Sequence, residues 1–342
     1  MKIAYSARHA LHDPQFFLVR GRPQRSAEQP ERATRLMDAI RPLGVEIAAP
    51  EDFGPSPRAA IHTPAYLDFL ETAHERWQAL GDASAEVLPN MHPLPGQPVT
   101  YPEGIVGRAG YHMADTACPI GAGTWAAAVE AAHSACQAAQ WVIDGERAAY
   151  ALCRPPGHHA YADRAGGFCF LNNSAIAAQY LLPKYGRVAI LDVDVHHGNG
   201  TQGIFWHRRD VLTVSLHGDP AGFYPFFVGY AHERGEGDGL GYNINVPLPH
   251  GTGDDGYLAA LARTARQIKA FAPGAVVVAL GLDAYEGDPL KALAITTPGF
   301  ARIGAAIAEL GLPTVFVQEG GYLSAELGQN LASVLTGFRR AV

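Results

Sequence analysis

The segment RVAILDVDVHHGNG, Arg187–Gly200, opens as an apolar strand and closes as a turn carrying acids and imidazoles. Arg187–Leu191 is the strongest strand signal in the chain, and apolar residues extend the predicted strand over Val188–Val195. Residues two apart in a strand point to one side, so Asp192, Asp194 and His196 are expected to project together. His197-Gly198-Asn199-Gly200 is a turn signal that releases the chain from the sheet. An α/β fold places ligands at this C-terminal strand edge. Carboxylates and neutral imidazole suit Zn²⁺, Fe²⁺ or Co²⁺. The plainer alternative makes Asp192 and Asp194 caps of the next helix and His196 a satisfied core histidine. Against it, two carboxylates in an apolar strand cost several kcal/mol or more unless paired or metal-bound.

Working outward, similar short apolar runs recur at Ile3–Tyr5, Tyr150–Cys153, Val211–Leu216, Ala275–Leu280 and Thr314–Val317. Helical patterns lie between them: Gly123–Asp144, with an Ala-rich stretch over Ala126–Trp141, Asn172–Tyr185 and Asp254–Phe271. This alternation predicts an α/β fold around a parallel sheet. Leu80–Thr100 (LGDASAEVLPNMHPLPGQPVT) is rich in Pro and Gly and reads as a long surface loop, a type that is often functional.

Three further strand ends carry chemistry. RPPGHHA, Arg154–Ala160, presents adjacent imidazoles from a proline-stiffened turn; alone it reads equally as a surface loop or a metal pair. Two histidines with different partners can have separated pKa values, one basic and one protonated. Asp283 is the first acid after Ala275–Leu280, and Tyr322 follows Gly320-Gly321 after the last run. Singly, Asp283 is a helix cap and Tyr322 a packing residue. Together, four strand ends deliver acid, imidazole or phenol to one sheet edge, which is how a metallohydrolase site is assembled.

The bulk numbers agree. The chain has 342 residues, 48% hydrophobic and 17% charged, enough to bury a substantial core. A net charge of −7 argues against nucleic-acid binding and suits a cationic substrate. Cys118, Cys136, Cys153 and Cys169 show no paired spacing, and Cys153 and Cys169 read as small core residues. No secretory leader follows Met1 and no run reaches membrane-span length, so a cytoplasmic protein is expected.

RPPGHHA, GGFCFLNN, DVDVHHGNGTQ, SLHGDP, GLDAYEGDP and EGGY, in that order, resemble the histone deacetylase and acetylpolyamine amidohydrolase family. The resemblance implies the three-layer arginase–deacetylase fold: one catalytic domain over residues 1–342, with a mostly parallel eight-stranded sheet between helices and an insertion at about 80–100. It implies catalytic metal on Asp194, His196 and Asp283, His159 as general base then acid, His158 as electrostatic partner and Tyr322 as donor to the oxyanion. Asp192 would stand behind His158 and join Ser215 and backbone of Asp194, His196 and Leu216 in a structural K⁺ site. Class I histone deacetylases place an Asp behind the second histidine; here it is Asn199, and an amide cannot raise imidazole basicity as a carboxylate does.

The same resemblance makes Phe168 and Tyr224 walls of a slender channel, core packing being the alternative. It puts Leu290 near the mouth, where a eukaryotic polyamine deacetylase has an acidic gatekeeper. The expected activity is zinc-dependent deacetylation of acetylated polyamines or short diamines by a homodimer whose 80–100 loop narrows the partner's entrance. Glu103 and Asp115 are candidates to meet the substrate's ammonium groups, or are ordinary solvated carboxylates. The competing readings are acetyl-lysine deacetylation on proteins and a non-catalytic acetyl-amine binding protein.

Overall fold

A computed structural model describes residues 1–342. Its ten strands are β1 (Lys2–Ala4), β2 (Phe16–Val19), β3 (Arg22–Arg25), β4 (Glu46–Ala48), β5 (Ala148–Ala151), β6 (Val188–Asp192), β7 (Val211–Gly218), β8 (Asn243–Leu248), β9 (Ala275–Leu280) and β10 (Thr314–Gln318). Eight form one sheet in the order β4-β1-β5-β10-β9-β6-β7-β8, and every pairing is parallel. β2 and β3 make a separate antiparallel hairpin.

Successive residues of the central strands feed opposite faces. Tyr150, Leu191, Val278 and Phe316 enter one apolar cluster, while Ala149, Ile190, Val277 and Val315 enter the other. Each cluster holds 39 buried residues, so the sheet is covered equally on both sides and its strands need no polar alternation. Ten helices complete the chain: α1 (Glu31–Ile40), α2 (Ser56–Ala59), α3 (Pro64–Gln78), α4 (Ile105–His112), α5 (Thr124–Ile143), α6 (Asn173–Tyr185), α7 (Asn199–Phe205), α8 (Asp254–Phe271), α9 (Thr297–Ala308) and α10 (Leu327–Ala341). Residues of α1, α8, α9 and α10 cover the first face; those of α3, α5 and α6 cover the second. This is the expected three-layer α/β architecture.

The predicted strand Val188–Val195 stops three residues early, at Asp192. The Asp192 carboxylate itself ends it, accepting the Asp194 amide at 3.1 Å in place of a ladder partner. Strand alternation therefore does not carry Asp194 and His196; an irregular turn does. The segment 79–104 contains no helix or strand, and Met91, Leu94 and Val99 on it are 71%, 67% and 50% exposed, as a surface loop requires. The four cysteines are buried and unpaired. No helix is long and apolar enough to cross a membrane.

Candidate metal centre and active site

The order of the sheet assembles the site. β5, β10, β9 and β6 are consecutive neighbours, although the chain visits them far apart, and all four run parallel. Their C-terminal ends emit, in turn, His158-His159, Glu319–Tyr322, Asp283 and Asp194–His196.

Asp194, His196 and Asp283 offer ligand atoms within 4.8 Å of one another, and all three are buried. His196 Nδ1 stands 3.2 Å from both Asp194 Oδ1 and Asp283 Oδ2. Backbone amides aim the carboxylates: Gly320 donates to Asp194 Oδ2 at 2.8 Å and Val195 to Asp283 Oδ1 at 3.0 Å. Neither acid has an Arg or Lys partner. Two buried carboxylates so placed suit a cation, which would offset the cost of their burial. Burial pulls the His196 pKa down, but hydrogen bonds and charge from Asp194 and Asp283 outweigh it and push it up to about 9. The donor set of two hard oxygens and one imidazole nitrogen fits a divalent ion such as zinc, which would take the place of the proton between the acids and His196. Gly320 is obligatory here, since a Cβ would collide with Asp283 Oδ2 and crowd Asp194 Oδ2, and Gly321 turns the chain at φ +105°.

The paired histidines have different supports. His158 Nδ1 meets Asp192 Oδ2 at 2.9 Å, whereas His159 Nδ1 meets Asn199 Oδ1 at 2.6 Å. Burial disfavours charge on both. For His158 the Asp194 and Asp192 carboxylates overcome it and hold the pKa well above the ordinary value. For His159 burial wins, reinforced by His158 and His196, and the pKa falls well below. The two supports thus act in opposite directions, Asp192 and Asp194 favouring charge on His158 and the neighbouring imidazoles disfavouring it on His159. An amide at Asn199 sharpens this division, because it orients His159 without adding charge.

Tyr322 is buried, with its ring 5.7 Å from that of Phe168 and the Arg32 guanidinium 4.7 Å above its centre. Its amide donates to Asp288 Oδ2 at 2.8 Å. Burial drives its phenol pKa up; Arg32 opposes this, and the Asp283 and Asp194 charges add to it. Tyr224 packs edge-on to His159 at 4.9 Å, while Phe168 holds a left-handed φ of +69°. Leu290 is half-buried next to this region, its amide on Asp288 Oδ1. Asp115 is engaged by the Tyr224 hydroxyl at 2.7 Å and by the Gly167 and Ala117 amides, so it ties Tyr224 to the backbone beside Phe168. Glu103 lies exposed before α4. Asp192 and Ser215 are register partners on β6 and β7, Leu216 follows, and the Ser215 hydroxyl is 2.8 Å from His217 Nδ1.

Several contributors escaped sequence reading. Phe223 stacks on His196 with ring centroids 4.6 Å apart. Asp288, inside the quoted GLDAYEGDP, anchors the Tyr322 amide. Arg32 and Arg154 converge on Glu28 at 2.6 and 2.8 Å, all three buried. Only the four-residue spacing of Glu28 and Arg32 hinted at a pair.

The comparisons agree with the geometry. The histone deacetylase domain model matches residues 26–338. The chain belongs to the histone deacetylase domain family. It is 49% identical over 330 residues to an acetylpolyamine amidohydrolase of Burkholderia pseudomallei (strain 1710b), covering 96% of each chain. It is 42% identical over 339 residues to an acetylpolyamine amidohydrolase of Mycoplana ramosa, covering 98% of this chain and 99% of that relative. Among solved structures, acetylpolyamine aminohydrolase from Burkholderia pseudomallei superposes with a TM-score of 0.96 at 47% identity, over 100% of this chain and 99% of that one.

Proposed function

We propose that this protein is a cytoplasmic, zinc-dependent deacetylase, one catalytic domain throughout, that hydrolyses the N-acetyl amide of acetylated polyamines and short acetylated diamines. The observation that carries this reading is the convergence of Asp194, His196 and Asp283 beside two histidines with different supports, His158 on the Asp192 carboxylate and His159 on the Asn199 amide. Full-length relatives named for acetylpolyamine hydrolysis support the substrate class.

Asp194, His196 and Asp283 would hold the ion, Zn²⁺ by preference, with Fe²⁺ or Co²⁺ accepted by the same donors. Zinc there supplies Lewis acidity toward the scissile carbonyl and makes water acidic enough to attack near neutral pH. His159, its Nδ1 held by Asn199, presents Nε2 to take the proton of the attacking water and returns it to the departing amine. His158 remains charged against Asp192 and steadies the negative charge that develops. The Tyr322 hydroxyl donates to the carbonyl oxygen as it becomes an oxyanion. Phe168 and Tyr224, with Leu290 near the entrance, admit a slender alkyl chain. A structural K⁺ at Asp192, Ser215 and the backbone of Asp194, His196 and Leu216 would brace the strand end. Asp115 and Glu103 supply negative charge for distal ammonium groups, and the net charge of −7 steers cations inward.

The family also includes protein deacetylases, so substrate choice is the discriminating test. Specificity constants would be measured for acetylputrescine, acetylcadaverine, acetylspermidines and an acetyl-lysine peptide. Holding one extra ammonium on a partly buried carboxylate is worth roughly 1.5–3 kcal/mol, so cationic acetylamines should be favoured by about ten-fold to a hundred-fold over an uncharged analogue. A preference for the peptide would establish the protein-deacetylase reading instead. Binding of all four without turnover would establish a non-catalytic acetyl-amine binder.

A further inference from the structure

Glu319 is wholly buried, yet its carboxylate meets no Arg or Lys. Its Oε2 accepts two successive amides of the histidine turn, from Gly157 at 2.6 Å and from His158 at 3.0 Å. Its Oε1 accepts the Ser174 hydroxyl at 2.7 Å, in the first turn of α6. The same helix start grips the histidine turn a second and third time, because Asn173 Nδ2 donates to the Pro155 carbonyl and Asn172 Nδ2 to the Ala160 carbonyl. The backbone of Glu319 is fixed as well: its amide donates to the Leu280 carbonyl, and its own carbonyl accepts from Arg32 at 2.7 Å. Tyr322 lies three residues further on. His158, Cys169 and Glu319 lie close enough to suggest a second metal site, but burial keeps the Cys169 thiol protonated, and Glu319 is already committed to three donors.

We propose that Glu319 is a positioning residue for the reaction: its carboxylate locks the His158–His159 turn to the strand end that carries Tyr322 and to the start of α6. The inference rests on the deacetylase reading above. The proton-transfer pair and the oxyanion donor come from different strands, and their relative placement must hold to well under 1 Å. A misplacement of about 1 Å costs on the order of 10²-fold in rate.

The test uses the metal-loaded full chain and an acetylated diamine. Glu319→Ala should lower kcat about 10²-fold with KM changed less than about three-fold. Glu319→Gln keeps an oxygen for the two amides and can donate to the Ser174 oxygen, so it should recover kcat to within about five-fold of the parent. Zinc content should be the same in all three proteins. In amide-resolved NMR, the Gly157 and His158 protons should lose their carboxylate-induced downfield shifts in the Ala variant and keep most of them in the Gln variant. Should Glu319→Ala not fold, a Gln variant that keeps activity, with a Ser174→Ala variant lowered several-fold in kcat alone, supports the proposal. A Glu319→Ala enzyme within about three-fold of the parent, an inactive Gln variant or a Ser174→Ala variant of parental rate overturns it. A parent that hydrolyses no acetylated amine would instead overturn the deacetylase reading, and this assignment with it.

Discussion

At the scale of single residues, the site divides into groups that bind and groups that move protons. Asp194, His196 and Asp283 would bind the ion and have no covalent chemistry to perform; the amides of His196 and Gly320 aim Asp194, the Val195 amide aims Asp283, and Phe223 stacks on the His196 ring. Tyr322 differs, because in the proposed reaction its hydroxyl would matter only once charge develops on the substrate oxygen. Tyr322→Phe should therefore leave folding and zinc content unchanged while kcat falls about 10²–10³-fold, with little change in KM. Normal turnover in that variant would make Tyr322 a packing residue only. The acids, imidazoles and phenol could be read from the sequence because each follows an apolar run at a strand end. Their supporting groups could not. Glu319 and Asp288 sit inside legible motifs, but which amides they receive is set by long-range packing. Phe223 stacks on His196 from the loop after β7, 27 positions along the chain, where nothing in the sequence pairs the two.

Among elements, the central strands declare themselves through uninterrupted apolar runs, and Ala275–Leu280 was predicted to the residue. The edge strands Glu46–Ala48 and Asn243–Leu248 do not, since one side of each is unpaired, no residue of the first is fully buried, and two of the buried residues of the second are asparagines. Helices α1, α3, α9 and α10 are likewise not declared by the apolar pattern. In α1 the reason is instructive, for its inward face includes a charged residue, Arg32. That guanidinium binds Glu28 at the helix entrance and the carbonyls of Glu319 and Gly321, while Arg154 reaches the same carboxylate from the histidine turn. Burial pushes the Glu28 carboxyl up, but Arg154 and Arg32 outweigh it and hold the pKa below the ordinary glutamate value. A depressed folded-state pKa contributes stability above the unfolded value, lost as pH falls through the folded one. Glu28→Gln leaves two buried guanidinium groups without a counter-ion, so it should cost about 3–5 kcal/mol at neutral pH. Denaturant unfolding at several pH values checks this. The gap between variant and parent should begin to narrow below about pH 4, where the unfolded parent's carboxyl takes up its proton, and close as pH falls through the lower folded-state pKa. A gap independent of pH, or none at pH 7, would show that the ion cluster contributes nothing to folding.

For the molecule as a whole, the double-sided parallel sheet makes one catalytic edge from four strands, and the exposed 80–100 loop is the element left over. Met91 and His92 lie against α4, whose Gly110 approaches the Met91 carbonyl, whereas residues 93–100 are exposed. Ser84–Val87 is different, packed through Trp77 and Ile120, so a deletion beginning at Ser84 would disturb the fold itself. Replacing 93–99 by a short Gly-Ser link is the cleaner probe of the homodimer that the family resemblance leads one to expect. Light scattering should show a dimeric parent and a weakened dimer in the variant; a monomeric parent would remove the loop's gating role and leave the metal chemistry standing. The central claim is that the Asp194–His196–Asp283 triangle binds the ion on which hydrolysis depends. Metal content and turnover of an acetylated diamine, measured together on the parent before chelation, after chelation and after zinc is returned, test it most directly, with Asp283→Ala alongside. The predicted result is one divalent ion per chain, activity lost with it and restored by zinc, and a variant lacking both. Undiminished hydrolysis by the metal-stripped protein, or by Asp283→Ala, would contradict the account.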